Sequence, residues 1–194
     1  MEETKTLKDV TVNVKQGASS FYLKEGTEPI KVIRHKAITA DGRLIPEEID
    51  ETNIKKLDRT EKNLLEEGDI LLSIRHSFKA VVIPKELKGA TFTGDFIALT
   101  VDKEKISPEL LAAYLSQPAV NKYIDAQGQG AISKSFSKES LLSIPLHIPD
   151  KQTQEKLKTL TKYIEEHRKL IEEEAAKLRE IEETLLVTNL GGRP

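Results

Sequence analysis

The sequence predicts an α+β chain: a mixed α/β globular domain over residues 1–149, one long C-terminal coiled-coil helix over residues 150–188, and a short tail over residues 189–194. Three observations predict it. Short runs rich in β-branched residues, at 10–14 and 30–33, alternate with turn signals such as Asp41-Gly42. From Leu157 to Leu185 apolar residues recur at alternating steps of three and four, with no proline or glycine until Gly191. Between the two regimes, Pro149 ends one segment and Asp150 is placed to cap the free N–H groups of the next.

Residues 10–14 alternate as a strand and run into a loop at 16–20, and residues 30–33 form a second strand. The polar stretch 46–62 has no clean period and is expected to cross the surface. Gly68-Asp69 precedes a strand at 70–74, with 80–83 its expected neighbour and 95–101 another. Ser107-Pro108-Glu109 is a helix start, combining a hydroxyl cap, a proline in the first turn and an acid. That helix carries Leu110, Leu111, Tyr114 and Leu115, and a second holds Val120, Tyr123 and Ile124. After a polar loop at 128–134, a short helix at 137–142 and an apolar segment at 144–148 lead to the long helix.

The long helix carries a heptad seam. Leu157, Ile164, Ile171, Leu178 and Leu185 stand at a, and Leu160, His167, Glu174, Ile181 and Thr188 at d. At 1.5 Å per residue it spans on the order of 55 Å, so its apolar stripe needs a partner. In a parallel homodimer each d residue faces its own copy, which sets Glu174 on Glu174 at a high cost. In an antiparallel pair Ile171 opposes Glu174, His167 opposes Leu178, and His167 reaches Glu174 of the other chain. The expected dimer interface is therefore an antiparallel seam of Leu157, Leu160, Ile164, His167, Ile171, Glu174, Leu178, Ile181 and Leu185.

Composition excludes several classes. Over 194 residues, 38% are hydrophobic and 32% charged, as expected of a globular domain with an appendage. Without cysteine there is neither a disulfide scaffold nor a thiolate metal site. No N-terminal apolar run resembles a signal peptide and no run approaches a membrane span, so a cytoplasmic location is expected. Residues 1–149 carry 21 Lys and Arg against 22 Asp and Glu, and residues 150–194 carry 9 against 10. Any nucleic-acid contact must therefore rest on local positive charge.

No catalytic motif survives inspection. Gly89 and Gly94 have phosphate-loop spacing, but Asp95-Phe96 stands where Lys and Ser/Thr are required. Gly128 and Gly130 lack the third glycine of a dinucleotide fingerprint. His35, His76, His147 and His167 have no metal-ligand spacing, so no metal site is expected. Ser135 and Lys138 match Ser-x-x-Lys only inside a Ser/Lys-rich loop. What remains are three polar clusters in or beside loops. Lys31, Arg34, His35 and Lys36 form one; Arg75, His76, Ser77 and Lys79 another; Gln127, Gln129, Ser133, Lys134, Ser135 and Lys138 the third. Arg and Lys neutralise phosphates, and Arg, Lys and Gln read base edges, although each cluster alone also suits an ordinary solvated surface.

Four stretches carry a resemblance. They are Leu7-Lys-Asp-Val10 followed by Gly17, and Glu67-Gly-Asp-Ile-Leu-Leu-Ser73 followed by Lys79-Ala-Val-Val82. Residues 107–127 running into Gly128-Gln-Gly-Ala-Ile-Ser-Lys134 are the third, and residues 141–149 followed by Gln154 the fourth. In this order they resemble the specificity (S) subunit of type I restriction–modification systems, over roughly residues 5–187. The resemblance implies a target-recognition domain at 1–149 that reads half of an interrupted DNA site. It also implies a helix that spaces such domains and docks methyltransferase subunits. S subunits of that family usually hold two recognition domains and two long helices, so one of each resembles a half S subunit.

The expected function is thus sequence-specific recognition of double-stranded DNA carrying an interrupted inverted repeat, without catalysis. The chain itself needs no cofactor, and S-adenosylmethionine belongs to a partner methyltransferase subunit; a restriction subunit is a further possible partner. Candidate DNA contacts are Lys31, Arg34, Lys36, Arg75, His76, Lys79, Gln127, Gln129, Ser133 and Lys134. The alternative is a coiled-coil protein–protein interaction module without DNA specificity, which the near-zero net charge of −2 also suits.

Overall fold

The computed structural model describes residues 5–18, 27–39, 42–54, 63–73, 79–127 and 138–190. The chain divides into two compact units, Met1–Asp150 and Lys151–Pro194. In order, the first unit holds β1 (Lys5–Thr6), α1 (Leu7–Val10), β2 (Thr11–Gln16), β3 (Glu28–Ile33), β4 (Asp50–Ile54) and β5 (Ile70–Ser73). There follow β6 (Ala80–Val82), β7 (Thr91–Phe92), β8 (Phe96–Val101), α2 (Pro108–Leu115), α3 (Pro118–Gln127), α4 (Lys138–Leu142) and β9 (Pro145–Leu146). The second unit is one helix, α5 (Lys151–Leu190).

Strand β5 is buried at all four positions because its sheet is covered on both faces. Its sheet runs in the order β2-β8-β5-β6, and every pairing is antiparallel. Alternate residues on a strand face opposite sides, and here they enter different cores. Ile70 and Leu72 of β5 join Ile97, Leu99 and Val101 of β8 against Leu111 and Leu115 of α2. Leu71, Phe96 and Ala98 point the other way, against Ile33, Ile83, Leu87 and Phe92. An uninterrupted apolar run is what such a doubly covered strand requires.

A second sheet runs β4-β3-β7, antiparallel between β3 and β4 and parallel between β3 and β7. Here the structure departs from the sequence expectation. The polar stretch from 46 supplies a 3₁₀ turn, Pro46–Glu48, and then β4, where a surface crossing was expected. Glu51 and Asn53 of β4 are exposed on one face while Ile54 is buried on the other, and Asp50, on the Ile54 face, is half-buried and answered by Arg34 and Lys36. Residues 55–62 lie outside the described residues. The strand expected at 10–14 is also displaced: Val10 closes α1, and β2 starts at Thr11. The Thr6 N–H and hydroxyl both donate to Asp9 Oδ2, at 2.7 and 2.9 Å, and hold that short turn.

The start of the chain is tied to the end of the unit. β1 pairs antiparallel with β9, and the Leu7 N–H donates to the Ile144 carbonyl at 2.9 Å. The helix start read at Ser107 is realised in α2, where Ser107 Oγ accepts from the Leu110 N–H at 3.1 Å and Pro108 stands in the first turn. Tyr114 of that helix donates to the Pro145 carbonyl at 2.9 Å.

A buried ion pair joins β2 to the turn before β5. Lys15 Nζ lies 2.6 Å from Asp69 Oδ2, the two side chains being 7% and 1% exposed. Lys15 also donates to the Leu64 carbonyl at 2.9 Å. Asp69 accepts from the Glu66 N–H at 2.8 Å and from the Thr100 hydroxyl at 2.7 Å. Every charge is thus answered by hydrogen bonds, the condition under which burial is tolerated. Gly68 precedes Asp69 at φ +85°, a left-handed backbone that residues with a Cβ rarely adopt. This gives the Gly68-Asp69 motif a structural reason.

Helix α5 runs 40 residues without a break, on the order of 60 Å. Leu157, Leu160, Ile164, Ile171, Leu178, Ile181 and Leu185 are all exposed on it, Ile171 at 64%. His167, Glu174 and Thr188 of the seam are exposed as well. The Tyr163 and His167 rings lie 4.2 Å apart, one helical turn from each other.

Candidate nucleic-acid interface

The first polar cluster is organised by β3 and β4. Register sets Val32 opposite Asp50 and Lys31 opposite Glu51, which brings the acids of the edge strand beside the basic run that follows β3. Arg34 Nε donates to Asp50 Oδ2. Lys36 Nζ lies 2.9 Å from Asp50 Oδ1 and 3.1 Å from Glu48 Oε2. Lys36, and then Arg34, lower the Asp50 carboxyl below its ordinary range; Asp50 and then Glu48 raise the Lys36 ammonium above its own. Lys31 is exposed on β3.

These cations are therefore matched by acids of the same unit. Arg34 and Lys36 are 36% and 53% exposed as side chains, so their outer faces meet solvent. A guanidinium has five donors in a fork and an ammonium three, so one group can serve a carboxylate and a phosphate together. Asp50 and Glu48 were not among the sequence candidates. No signal pointed to them, because the strand that carries Asp50 has no apolar alternation strong enough to reveal it.

Lys79 requires a correction. It was offered as a DNA contact, yet it is 7% exposed and its Nζ donates to the Ile38 carbonyl at 3.3 Å. Its ammonium is committed inside the unit, and Lys79 leaves the proposed interface. Gln127 is the last residue of α3, and its side chain lies outside what is described. Arg75, His76, Gln129, Ser133 and Lys134 also lie outside the described residues. The structure thus brings Arg34 and Lys36 together on Asp50, with Lys31 on the adjoining strand, while Lys79 is buried against the Ile38 carbonyl.

Among the described residues no group of three or more His, Cys, Asp or Glu is placed to hold a metal ion. Nor is any helix there long and apolar enough to cross a membrane.

The fold defines a class. Three solved chains share it: one from a study of complex assembly and conformational transition of the type I R-M system, the HsdS subunit from Thermoanaerobacter tengcongensis, and the type I restriction–modification S subunit from M. genitalium. The first has a TM-score of 0.69 at 13% identity, covering 97% of this chain and 48% of that one. The second has 0.71 at 14%, covering 96% and 47%. The third has 0.54 at 17%, covering 95% and 44%. The chain spans about half the length of these structures.

The family follows from the sequence itself. The model of the type I restriction modification DNA specificity domain matches residues 2–182, and the chain belongs to that family. It is a DNA-recognition module on that ground. No curated protein matches the sequence.

Proposed function

We propose that this chain reads one half of an interrupted DNA site and directs partner subunits that carry the chemistry. The observation that carries the reading is the family match over residues 2–182. In this reading the Met1–Asp150 unit contacts DNA through Lys31, Arg34, Lys36, Arg75, His76, Gln127, Gln129, Ser133 and Lys134. The chain is non-catalytic and binds no cofactor, S-adenosylmethionine being held by a methyltransferase subunit. It works in the cytoplasm, where its DNA is, with a restriction subunit as a further partner.

Two copies associate through α5 as an antiparallel coiled coil. Support comes from seven large apolar residues of the seam that are exposed in the single chain, and from the cost of stacking Glu174 on itself in a parallel pair.

Reconstitution tests the reading. The chain alone should neither methylate nor cut DNA, and methylation should appear when a cognate methyltransferase subunit is added. Its DNA affinity should fall steeply with salt, and Arg75→Ala or Lys134→Ala should weaken it. S-adenosylmethionine turnover by the chain alone, or binding indifferent to salt, would overturn the proposal.

A further inference from the structure

Arg34, Lys36, Glu48 and Asp50 form a cluster whose charges cancel, two cations against two acids. Asp50 bridges the cations with one oxygen each: Oδ2 accepts from Arg34 Nε, and Oδ1 lies 2.9 Å from Lys36 Nζ. Glu48 Oε2 is a second partner of Lys36, at 3.1 Å. Lys31 stands apart from them. Alternate residues of a strand face opposite sides, so Lys31 and Glu51, paired across β3 and β4, lie on the face away from Val32 and Asp50. Glu47, exposed on the same 3₁₀ turn as Glu48, adds a further acid and no cation.

The cluster is not what holds the unit together. Its side chains are between 31% and 53% exposed, and ion pairs that open to water contribute little to stability. Nor is it a plain phosphate-binding patch, in which unopposed Lys and Arg displace counterions from the duplex. An acid beside each cation removes much of the attraction for a phosphate, on every sequence alike.

What the cluster keeps is direction. An unrestrained arginine or lysine swings to whichever phosphate is near, whereas one held by a carboxylate offers its remaining donors along one line. The Nε bond to Asp50 uses one of the five donors of Arg34. Lys36, and then Arg34, hold the Asp50 carboxyl below its ordinary range, so the bridge stays charged.

We infer that Asp50, with Glu48, is a specificity-determining residue that cancels the charge of Arg34 and Lys36 and fixes their direction, so that DNA of arbitrary sequence is held weakly. The inference rests on the reading of Met1–Asp150 as the DNA-contacting unit, and adds to it the acids that restrain its cations. Asp50 acts through the two cations, as a positioning residue.

Salt titration of the full chain on a duplex of arbitrary sequence tests the restraint. Asp50→Asn keeps the size of the side chain and removes its charge. Its log affinity against log salt should steepen by about 0.9, the value for one further phosphate neutralised. That is a gain of about threefold over about a fourfold drop in salt. A variant damaged in folding loses affinity, so a gain separates restraint from a merely structural role. Arg34→Gln/Asp50→Asn should return the slope to that of the wild type, because the released cation is then gone. On the site mapped from methylated bases the gain should be smaller, so the advantage of that site over arbitrary DNA shrinks.

A slope unchanged or shallower in Asp50→Asn overturns the inference, as does a double variant as steep as Asp50→Asn or an undiminished advantage of the mapped site. Should Asp50→Asn not fold, Glu48→Gln decides by the same slope, since it frees Lys36 from one of its two acids without touching either sheet. A wild type that binds neither duplex at any salt overturns the DNA-contact reading itself. Salt-dependent binding by the wild type with an unaltered slope in the variant sinks the restraint alone.

Discussion

Asp69 is the residue on which the first unit's polar interior turns. It faces Lys15 across 54 positions of sequence and also takes the Glu66 N–H and the Thr100 hydroxyl. Removing one partner of such a pair leaves a charge in the interior with no answer, at about 3–5 kcal/mol. Asp69→Ala should therefore lower unfolding stability by about that amount in urea, whereas Lys15→Met/Asp69→Leu should recover most of it. A single substitution costing under about 1 kcal/mol would show that water reaches the pair. At the same scale Lys79 and Arg34, both basic and both in polar clusters, differ in their surroundings. Lys79 turns inward to a carbonyl, and Arg34 lies at the surface beside a carboxylate.

At the scale of elements, α5 is the part whose sequence and structure leave work undone. A helix needs an apolar face only where something covers it, and Ile171 at the centre of this one is 64% exposed. In the proposed dimer Ile171→Asp would set a second carboxylate against Glu174 of the other copy, inside a seam that excludes water. Association should weaken by about a hundredfold or more, and light scattering at micromolar concentration reads the outcome. A dimer indifferent to Ile171→Asp would mean that another face of α5 makes the contact. Strand β5 is the contrasting case: its apolar residues are all satisfied, because both faces of its sheet are covered.

For the whole molecule, symmetry connects the helix to the DNA. In the proposed homodimer, two identical recognition units related by a two-fold axis present one reading surface in opposite directions, and their site must share that symmetry. The target is expected to be an inverted repeat, with an unread spacer of several base pairs set by helices on the order of 60 Å long. Mapping methylated bases in cells that carry this chain with its methyltransferase checks this. An asymmetric or uninterrupted motif would mean that the functional unit is something other than the homodimer.

Much of this was legible because it is local. The long helix α5, the cap at Ser107 and the strand at residues 70–73 each announce themselves within a few turns or one short run, where the period of side-chain placement matches the period of the backbone. The order of the four resembling stretches was equally readable, and it led to the family. Only the tertiary structure decided the rest. β4 forms because β3 offers it an edge, with no apolar alternation of its own to predict it. That pairing then delivers Asp50 to Arg34 and Lys36, as the packing of β2 on β8 and β8 on β5 delivers Lys15 to Asp69. Contacts between distant positions depend on which strands become neighbours. A chain's local periodicity fixes which side of an element is apolar but carries no record of what will be brought against it.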